Sequence, residues 1–338
     1  MFESRRATRW LRSALVTTSL ALSAVTAQAL PYSGVVVFGD SLSDTGNIAS
    51  IYGADPFVAT AIGYGSNGRF SNGPVWHEYL SAGLGMAGAS STPSLQGGSN
   101  LAFGGARTGA GTTPPGLLTQ YALWDGVTPG ADPNALYIVW GGGNDLRDVA
   151  SSGNPAGIPA GIANLQFMLT GLIGQGAKTL LVPNLPNLGL IPEFAGDPAK
   201  SALATFASQQ WNLALAQMLA SLSGQAAIYA LDTFGLFNNI AAMPDDFGFT
   251  NTAGQCRSVV GGLEVSCVNA DEFVFWDAVH PTTAAHEIIG MAAVDLLKYG
   301  HRVPEPGTLA LLLLACLASV FALQRTRRRS EAPQPIRA

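Results

Sequence analysis

Hydrophobic positions along the chain fall into two alternating patterns. Val35-Val36-Val37-Phe38, Leu136-Tyr137-Ile138-Val139-Trp140, Thr179-Leu180-Leu181-Val182 and Ala227-Ile228-Tyr229-Ala230-Leu231 are short, unbroken apolar runs. They are rich in β-branched, aliphatic and aromatic residues, and the first two stop at a glycine, which predicts buried strands. Between them lie longer amphipathic stretches, 157–175, 198–222 and 282–299, whose spacing predicts helices. Strands alternating with helices of this length predict a parallel sheet covered on both faces. In such a sheet, chemistry gathers at the carboxyl ends of the strands. Residues 82–116 are rich in Gly, Ala, Ser and Thr and are expected to form a long loop. No internal repeat is visible.

The two ends depart from this pattern. Arg5, Arg6, Arg9 and Arg12 precede an apolar stretch from Leu15 to Val25 and then Ala27-Gln28-Ala29. A basic start, a short apolar run and an A-x-A site predict a signal peptide over 1–29 and an exported protein. A membrane anchor is the alternative, but the run is short for a span of roughly 20 residues. At the other end, Val303-Pro304-Glu305-Pro306-Gly307-Thr308 leads into an apolar run from Leu309 to Leu323, followed by Arg325, Arg327, Arg328 and Arg329. This 303–330 segment resembles a PEP-CTERM sorting signal of Gram-negative bacteria, with 331–338 a polar tail. The resemblance implies transient membrane anchoring, a sorting protease as partner, and a destination in the cell envelope or outside it. A permanent anchor is the alternative. Fifteen apolar residues reach only about 22 Å as a helix, against a hydrocarbon core of roughly 30 Å.

The body between these segments, residues 30–302, suits a single domain. From Pro31 to Arg302 it holds eight Lys and Arg against nineteen Asp and Glu, 8 − 19 = −11. An acidic body without a basic stripe argues against nucleic acid as partner. Charged residues make up 12% of the chain beside 40 Gly and 20 Pro, which suits a folded domain with many tight loops. Cys256 and Cys267 lie eleven positions apart in one polar loop, and Cys316 sits in the C-terminal apolar run. In an exported protein the loop pair is expected to form a disulfide, with two free thiols as the alternative.

Candidate chemistry sits where the strands end. In Phe38-Gly39-Asp40-Ser41-Leu42-Ser43-Asp44-Thr45-Gly46-Asn47 a strand delivers Ser41 into a turn expected to open a helix. Such a serine is either an exposed nucleophile or a helix cap. The G-x-S-x-G elbow is excluded, because Ser43 stands where its second glycine would be. A serine nucleophile needs a base, and the base an orienting acid. Of the four histidines, His77 falls on a helix side, His286 within the last helix pattern, and His301 in the C-terminal linker. His280 follows Asp277 by three positions before Pro281, a spacing that lets the carboxylate reach one imidazole nitrogen and leaves the other for the serine. A metal site from Asp277, His280 and His286 is an alternative that no further ligand cluster supports. Donors for an oxyanion could come from Asn100-Leu101-Ala102-Phe103-Gly104-Gly105-Ala106 or from Trp140-Gly141-Gly142-Gly143-Asn144-Asp145. No phosphate-binding glycine pattern opens a helix here.

These four segments, in this order, resemble the signature blocks of the GDSL lipase/esterase family, the SGNH hydrolases. The wording of residues 38–47 is similar to its phospholipase, lecithinase or haemolysin-like branch. The resemblance extends from about Val35 to Leu297. Leu181-Val182-Pro183-Asn184-Leu185-Pro186-Asn187-Leu188-Gly189 and Phe247-Gly248-Phe249-Thr250-Asn251 agree with the same branch. It implies an α/β three-layer α/β/α sandwich with a flavodoxin-like parallel sheet. It implies Ser41 as nucleophile, His280 as general base and Asp277 as its orienting acid. The oxyanion donors would be the N–H groups of Ser41 and Gly105, with Gly104 left open, and the Asn144 amide. Asp40 and Asp44 are expected to be structural. The implied reaction is hydrolysis of a lipid or other acyl ester, without metal or organic cofactor. Carbohydrate deacetylation on the same fold and a non-catalytic surface or matrix protein are the alternatives.

Overall fold

The first three apolar runs are strands whose side chains are largely buried on both sides, and the fourth, at the sheet edge, is only partly buried. In the computed structural model, which describes residues 32–300 apart from Ala54 and Gly262, β1 (Val35–Gly39), β2 (Leu136–Trp140), β3 (Thr179–Pro183) and β4 (Ala227–Leu231) form one parallel sheet in the order β1-β2-β3-β4. Register pairs include Phe38 with Val139, Tyr137 with Leu180, and Leu181 with Tyr229. Every residue of β2 is buried, as a central strand between two helical layers requires.

Alternation along the strands sorts the layers. Phe38 and Tyr137 point to one face, where both meet Trp124 edge-on. Trp140 points to the other, where it meets Trp76 at 90°. Helices α1 (Asn47–Tyr52) and α2 (Pro56–Ile62) follow β1, and α3 (Trp76–Gly83) carries Trp76. Trp124 belongs to α4 (Leu117–Asp125). After β2 come α5 (Gly143–Ser152) and α6 (Gly157–Gly174), after β3 α7 (Pro192–Ala195) and α8 (Pro198–Leu222), and after β4 α9 (Thr233–Ala242). The last helix is α10 (Thr283–Tyr299), which packs on α3, while α6 packs on both α4 and α8. The result is an α/β/α sandwich. Asp197 starts α8 by accepting the N–H groups of Ala199 and Lys200, with Pro198 in its first turn.

The stretch 82–116 is largely irregular, but it is not merely a connection. Val37 donates to Ser99 O at 3.0 Å, Leu101 donates to Val37 O at 2.7 Å, and Phe103 donates to Gly39 O at 3.2 Å. Residues 99–103 therefore run parallel beside β1 as an edge. Counting this edge second in chain order gives the flavodoxin-like order 2-1-3-4-5. The segment between β4 and α10 also holds more structure than a polar loop. β5 (Asn251–Gln255) pairs with β8 (Phe273–Phe275), and β6 (Arg257–Val260) with β7 (Leu263–Ser266) makes an antiparallel hairpin. Cys256 and Cys267 are joined at its base, with their Cα atoms 5.0 Å apart. The predicted segments 1–29, 303–330 and 331–338, with His301 and Cys316, lie outside the described residues.

Candidate active site

The carboxyl end of β1 makes a tight turn rather than a helix start. Ser43 and Asp44 both donate their N–H groups to Asp40 O at 3.0 Å, and α1 begins only at Asn47. The expected helix opening at Ser41 is thus displaced, because Gly46, at φ 137°, interrupts the chain before helical hydrogen bonds can start. Asp40 and Asp44 shape this turn. Asp40 accepts from Leu42 N–H at 3.0 Å. Asp44 accepts from the N–H groups of Gly46 and Asn47, both at 2.7 Å, and of Ile48 at 3.2 Å. Burial pushes both carboxyls up to about 6, against those N–H donors.

A second turn comes from the far end of the chain. Asp277 Oδ1 accepts the N–H groups of Val279 and His280 at 2.8 Å, and Trp276 donates to His280 O at 2.7 Å. Pro281 and the cap Thr282 then start α10. The same carboxylate lies 3.0 and 2.8 Å from His280 Nδ1, and His280 Nε2 lies 2.8 Å from Ser41 Oγ. The structure therefore brings Ser41, His280 and Asp277 into one line. Burial works to raise the Asp277 carboxyl, but the neighbouring imidazole and the hydrogen bonds it receives outweigh this and hold it at about 2. It stays ionised and can fix the Nδ1–H tautomer. The Phe70 ring lies against the imidazole, centroids 5.2 Å apart.

The donor loop separates Gly104 from Gly105. Gly104 donates its N–H to Asp44 Oδ2 at 2.9 Å, so that group is occupied. Gly105 adopts φ 79°, open to glycine at little cost, and its N–H has no protein acceptor among the described residues. The same holds for the Ser41 N–H. Asn144 stands in the first turn of α5 and donates from Nδ2 to Ala106 O at 2.9 Å, which leaves one amide hydrogen. A cavity of about 40 Å3 adjoins Ser41, His280 and Asn144. Leu185, Leu188, Ile191, Phe237, Phe275 and Val279 give it apolar walls.

The remaining histidines are packed elsewhere. His77 is buried between Ser90 Oγ and Ser43 O, each at 2.9 Å, and burial lowers it to about 4. His286 is buried, with Nδ1 accepting Trp76 N–H at 3.3 Å, and burial lowers it to about 3. Both stay neutral. Among the described residues no three His, Cys, Asp or Glu side chains gather as metal ligands would.

Three supporting residues escape a reading of the sequence. The Gln120 side chain brackets Gly39, accepting its N–H at 3.0 Å and donating to its carbonyl at 2.8 Å. Asn100 donates to Ser43 O at 2.8 Å, tying the edge segment to the Ser41 turn. Arg147 pairs with Glu193 through two contacts, at 2.6 and 2.9 Å, and reaches Asn144 Oδ1 at 3.4 Å. A polar Gln inside the apolar stretch Leu117-Leu118-Thr119-Gln120-Tyr121-Ala122-Leu123 was the one available signal.

The sequence profile of the family described as GDSL-like Lipase/Acylhydrolase matches residues 35–293. The thermolabile hemolysin of Vibrio parahaemolyticus is 29% identical, across 80% of this chain and 64% of its own length. Esterase EstA of Pseudomonas aeruginosa is 32% identical, across 79% of this chain and 47% of its own length. The chain thus spans between about half and two thirds of the length of these relatives. A crystal structure of a lipolytic G-D-S-L family member from Veillonella parvula is 14% identical, with a TM-score of 0.44, across 78% of this chain and 98% of that one.

Proposed function

The chain belongs to the GDSL-like lipase/acylhydrolase family, and on that premise we propose that it hydrolyses carboxylic esters through an acyl-enzyme on Ser41. The observation that carries this reading is the line Asp277–His280–Ser41, with contacts of 2.8 Å at both ends of the imidazole. His280 Nε2 takes the Ser41 proton as Oγ attacks the ester carbonyl. Asp277 holds Nδ1–H and stabilises the imidazolium that forms. The N–H groups of Ser41 and Gly105 and the Asn144 amide donate to the tetrahedral oxyanion. The imidazolium then protonates the leaving alcohol. Water, deprotonated by His280, attacks the acyl carbon, and Ser41 recovers its proton.

The apolar walls beside Ser41 suit an acyl chain, and we assign lipid or other acyl esters as substrates. A cavity of about 40 Å3 also admits an acetyl group without rearrangement, which favours carbohydrate deacetylation as a second reading. A panel of p-nitrophenyl esters of increasing acyl length, beside acetylated oligosaccharide, separates the two. Purified Ser41→Ala should be folded and inactive on every ester. Near-normal turnover by that variant sinks the role of Ser41, whereas a wild type inactive on every ester leaves the non-catalytic alternative standing.

We further propose that 1–29 is a signal peptide and 303–330 a PEP-CTERM sorting signal, read by a sorting protease after transient membrane anchoring. The body would then work in the envelope or outside the cell. Intact mass of protein recovered from the native envelope tests this. A mature chain that retains residues 309–338 makes the tail an ordinary anchor.

A further inference from the structure

The hairpin of β6 and β7 buries an arginine and leaves its aliphatic side chains in solvent. Its pairs are Arg257 with Ser266, Ser258 with Val265, Val259 with Glu264, and Val260 with Leu263. Alternation puts Arg257, Val259, Glu264 and Ser266 on one face, and Ser258, Val260, Leu263 and Val265 on the other. A two-stranded hairpin on a soluble domain ordinarily turns its apolar face inward. Here the one buried residue is the charged Arg257, while Val259 on the same face is 49% exposed. Arg257 is buried, its guanidinium meeting Glu264 at 2.8 Å and the carbonyl of Thr60 in α2 at 3.1 Å. The outward face is aliphatic, with Val260 63% and Leu263 62% exposed. One turn before Thr60, α2 exposes Phe57 at 70%.

We propose that this face, together with Phe57, docks the protein on an uncharged lipid–water interface. Two observations favour a lipid surface over a protein partner, and a third favours an uncharged surface over an anionic one. A few aliphatic side chains at a hairpin tip fall far short of the roughly 800 Å2 per side that a stable protein interface needs. The face offers no Trp or Arg anchor of the kind that carries binding energy between proteins, whereas acyl chains demand neither shape nor hydrogen bonds from their partner. The body's charge of −11, from eight basic and nineteen acidic residues over 31–302, disfavours an anionic surface.

The attachment makes the docking consequential. The disulfide closes the hairpin base, Cys256 donates to Phe275 O at 3.1 Å, and Arg257 donates to Trp276 O at 2.5 Å. Trp276 immediately precedes Asp277 in the chain. The hairpin is thus fastened to the end of β8, which leads into the turn of Asp277 and His280, and a surface it touches lies beside the candidate site. Docking itself is independent of the ester-hydrolase reading; only its effect on turnover rests on that reading.

The test uses the full chain with a reporter at the tip. Leu263→Trp adds one indole to the six native ones, and the wild type supplies the background to subtract. With phosphatidylcholine vesicles the added emission should shift to the blue and be quenched by brominated acyl chains. A tip that stays in water beside vesicles overturns the proposal. So does a blue shift that needs no vesicles and grows with protein concentration, because the face would then pair two copies. The double variant Val260→Ser with Leu263→Ser should lose at least about tenfold in turnover of a vesicle-embedded ester. Its turnover of a soluble short ester should match the wild type, which also shows that it is folded. Equal loss on both substrates overturns docking. A wild type inactive on the soluble ester sinks the hydrolase reading and leaves the fluorescence result standing.

Discussion

Asp44 Oδ2 accepts the N–H of Gly104, sixty positions further along the chain, at 2.9 Å. One buried carboxylate thereby holds the turn that carries Ser41 and the loop that carries Gly105 in fixed relation. Its occupation of Gly104 leaves the next N–H, that of Gly105, free for the proposed oxyanion.

Asp44→Asn should therefore lower kcat, by about 10²-fold if the loop shifts by roughly 1 Å. It should also change how stability responds to pH. Burial raises the Asp44 carboxyl to about 6, whereas an unfolded chain titrates it near about 3.9. A carboxyl that holds its proton more tightly when folded contributes stability that is complete below about pH 4 and lost as pH rises through about 6. Asp40 behaves alike and remains in the variant. The stability gap between wild type and Asp44→Asn should narrow across that window in denaturant titrations. A constant gap would mean that Asp44 is ionised throughout.

Asn144→Ala should reduce kcat by about 10²–10³-fold with a smaller change in KM, as for a donor used in the transition state. Steady-state kinetics on a soluble ester decides it. A change confined to KM would make Asn144 a substrate-binding residue instead.

Gly104→Ala tests how closely the loop is packed on the base. A Cβ there would come within 2.3 Å of the Phe70 ring, which itself lies against His280. The ring must move, so both thermal stability and kcat should fall, with overpacking costing about 1–3 kcal/mol. Unchanged kcat in a variant that melts earlier would show that Phe70 does not steer the imidazole.

Replacing both Cys256 and Cys267 by Ser should destabilise the protein by roughly 3 kcal/mol on chain-entropy grounds, since the closed loop is short. Thermal melts with and without the pair measure this. Melting at an unchanged temperature would show that the hydrogen bonds to Phe275, Trp276 and Thr60 hold the hairpin without the bridge.

The strands and long helices were legible because each is written in local pattern. Val35–Phe38 is a buried run, and Pro198 marks the first turn of α8. The lining-up of Ser41, His280 and Asp277 also follows residues that the motif spacing singles out. The edge at residues 99–103 was not legible. Ser99 and Asn100 carry no strand-like alternation, and the pairing is fixed by β1, more than sixty residues earlier. Nor was the β6–β7 hairpin, which buries Arg257 and leaves Val259, Val260, Leu263 and Val265 exposed. The choice between Gly104 and Gly105 depends on Asp44, and no local feature of the glycine pair records that contact.

The contact between Ser41 and His280 joins positions 239 residues apart. A chain made from its N-terminus acquires the serine just after its first strand, but meets its hydrogen-bond partner His280 just before its last helix. A truncated or half-finished polypeptide holds the nucleophile without the base. If the proposed mechanism holds, ester cleavage cannot begin before residue 280 has been added and folded against Ser41, so the order of synthesis sets its earliest moment.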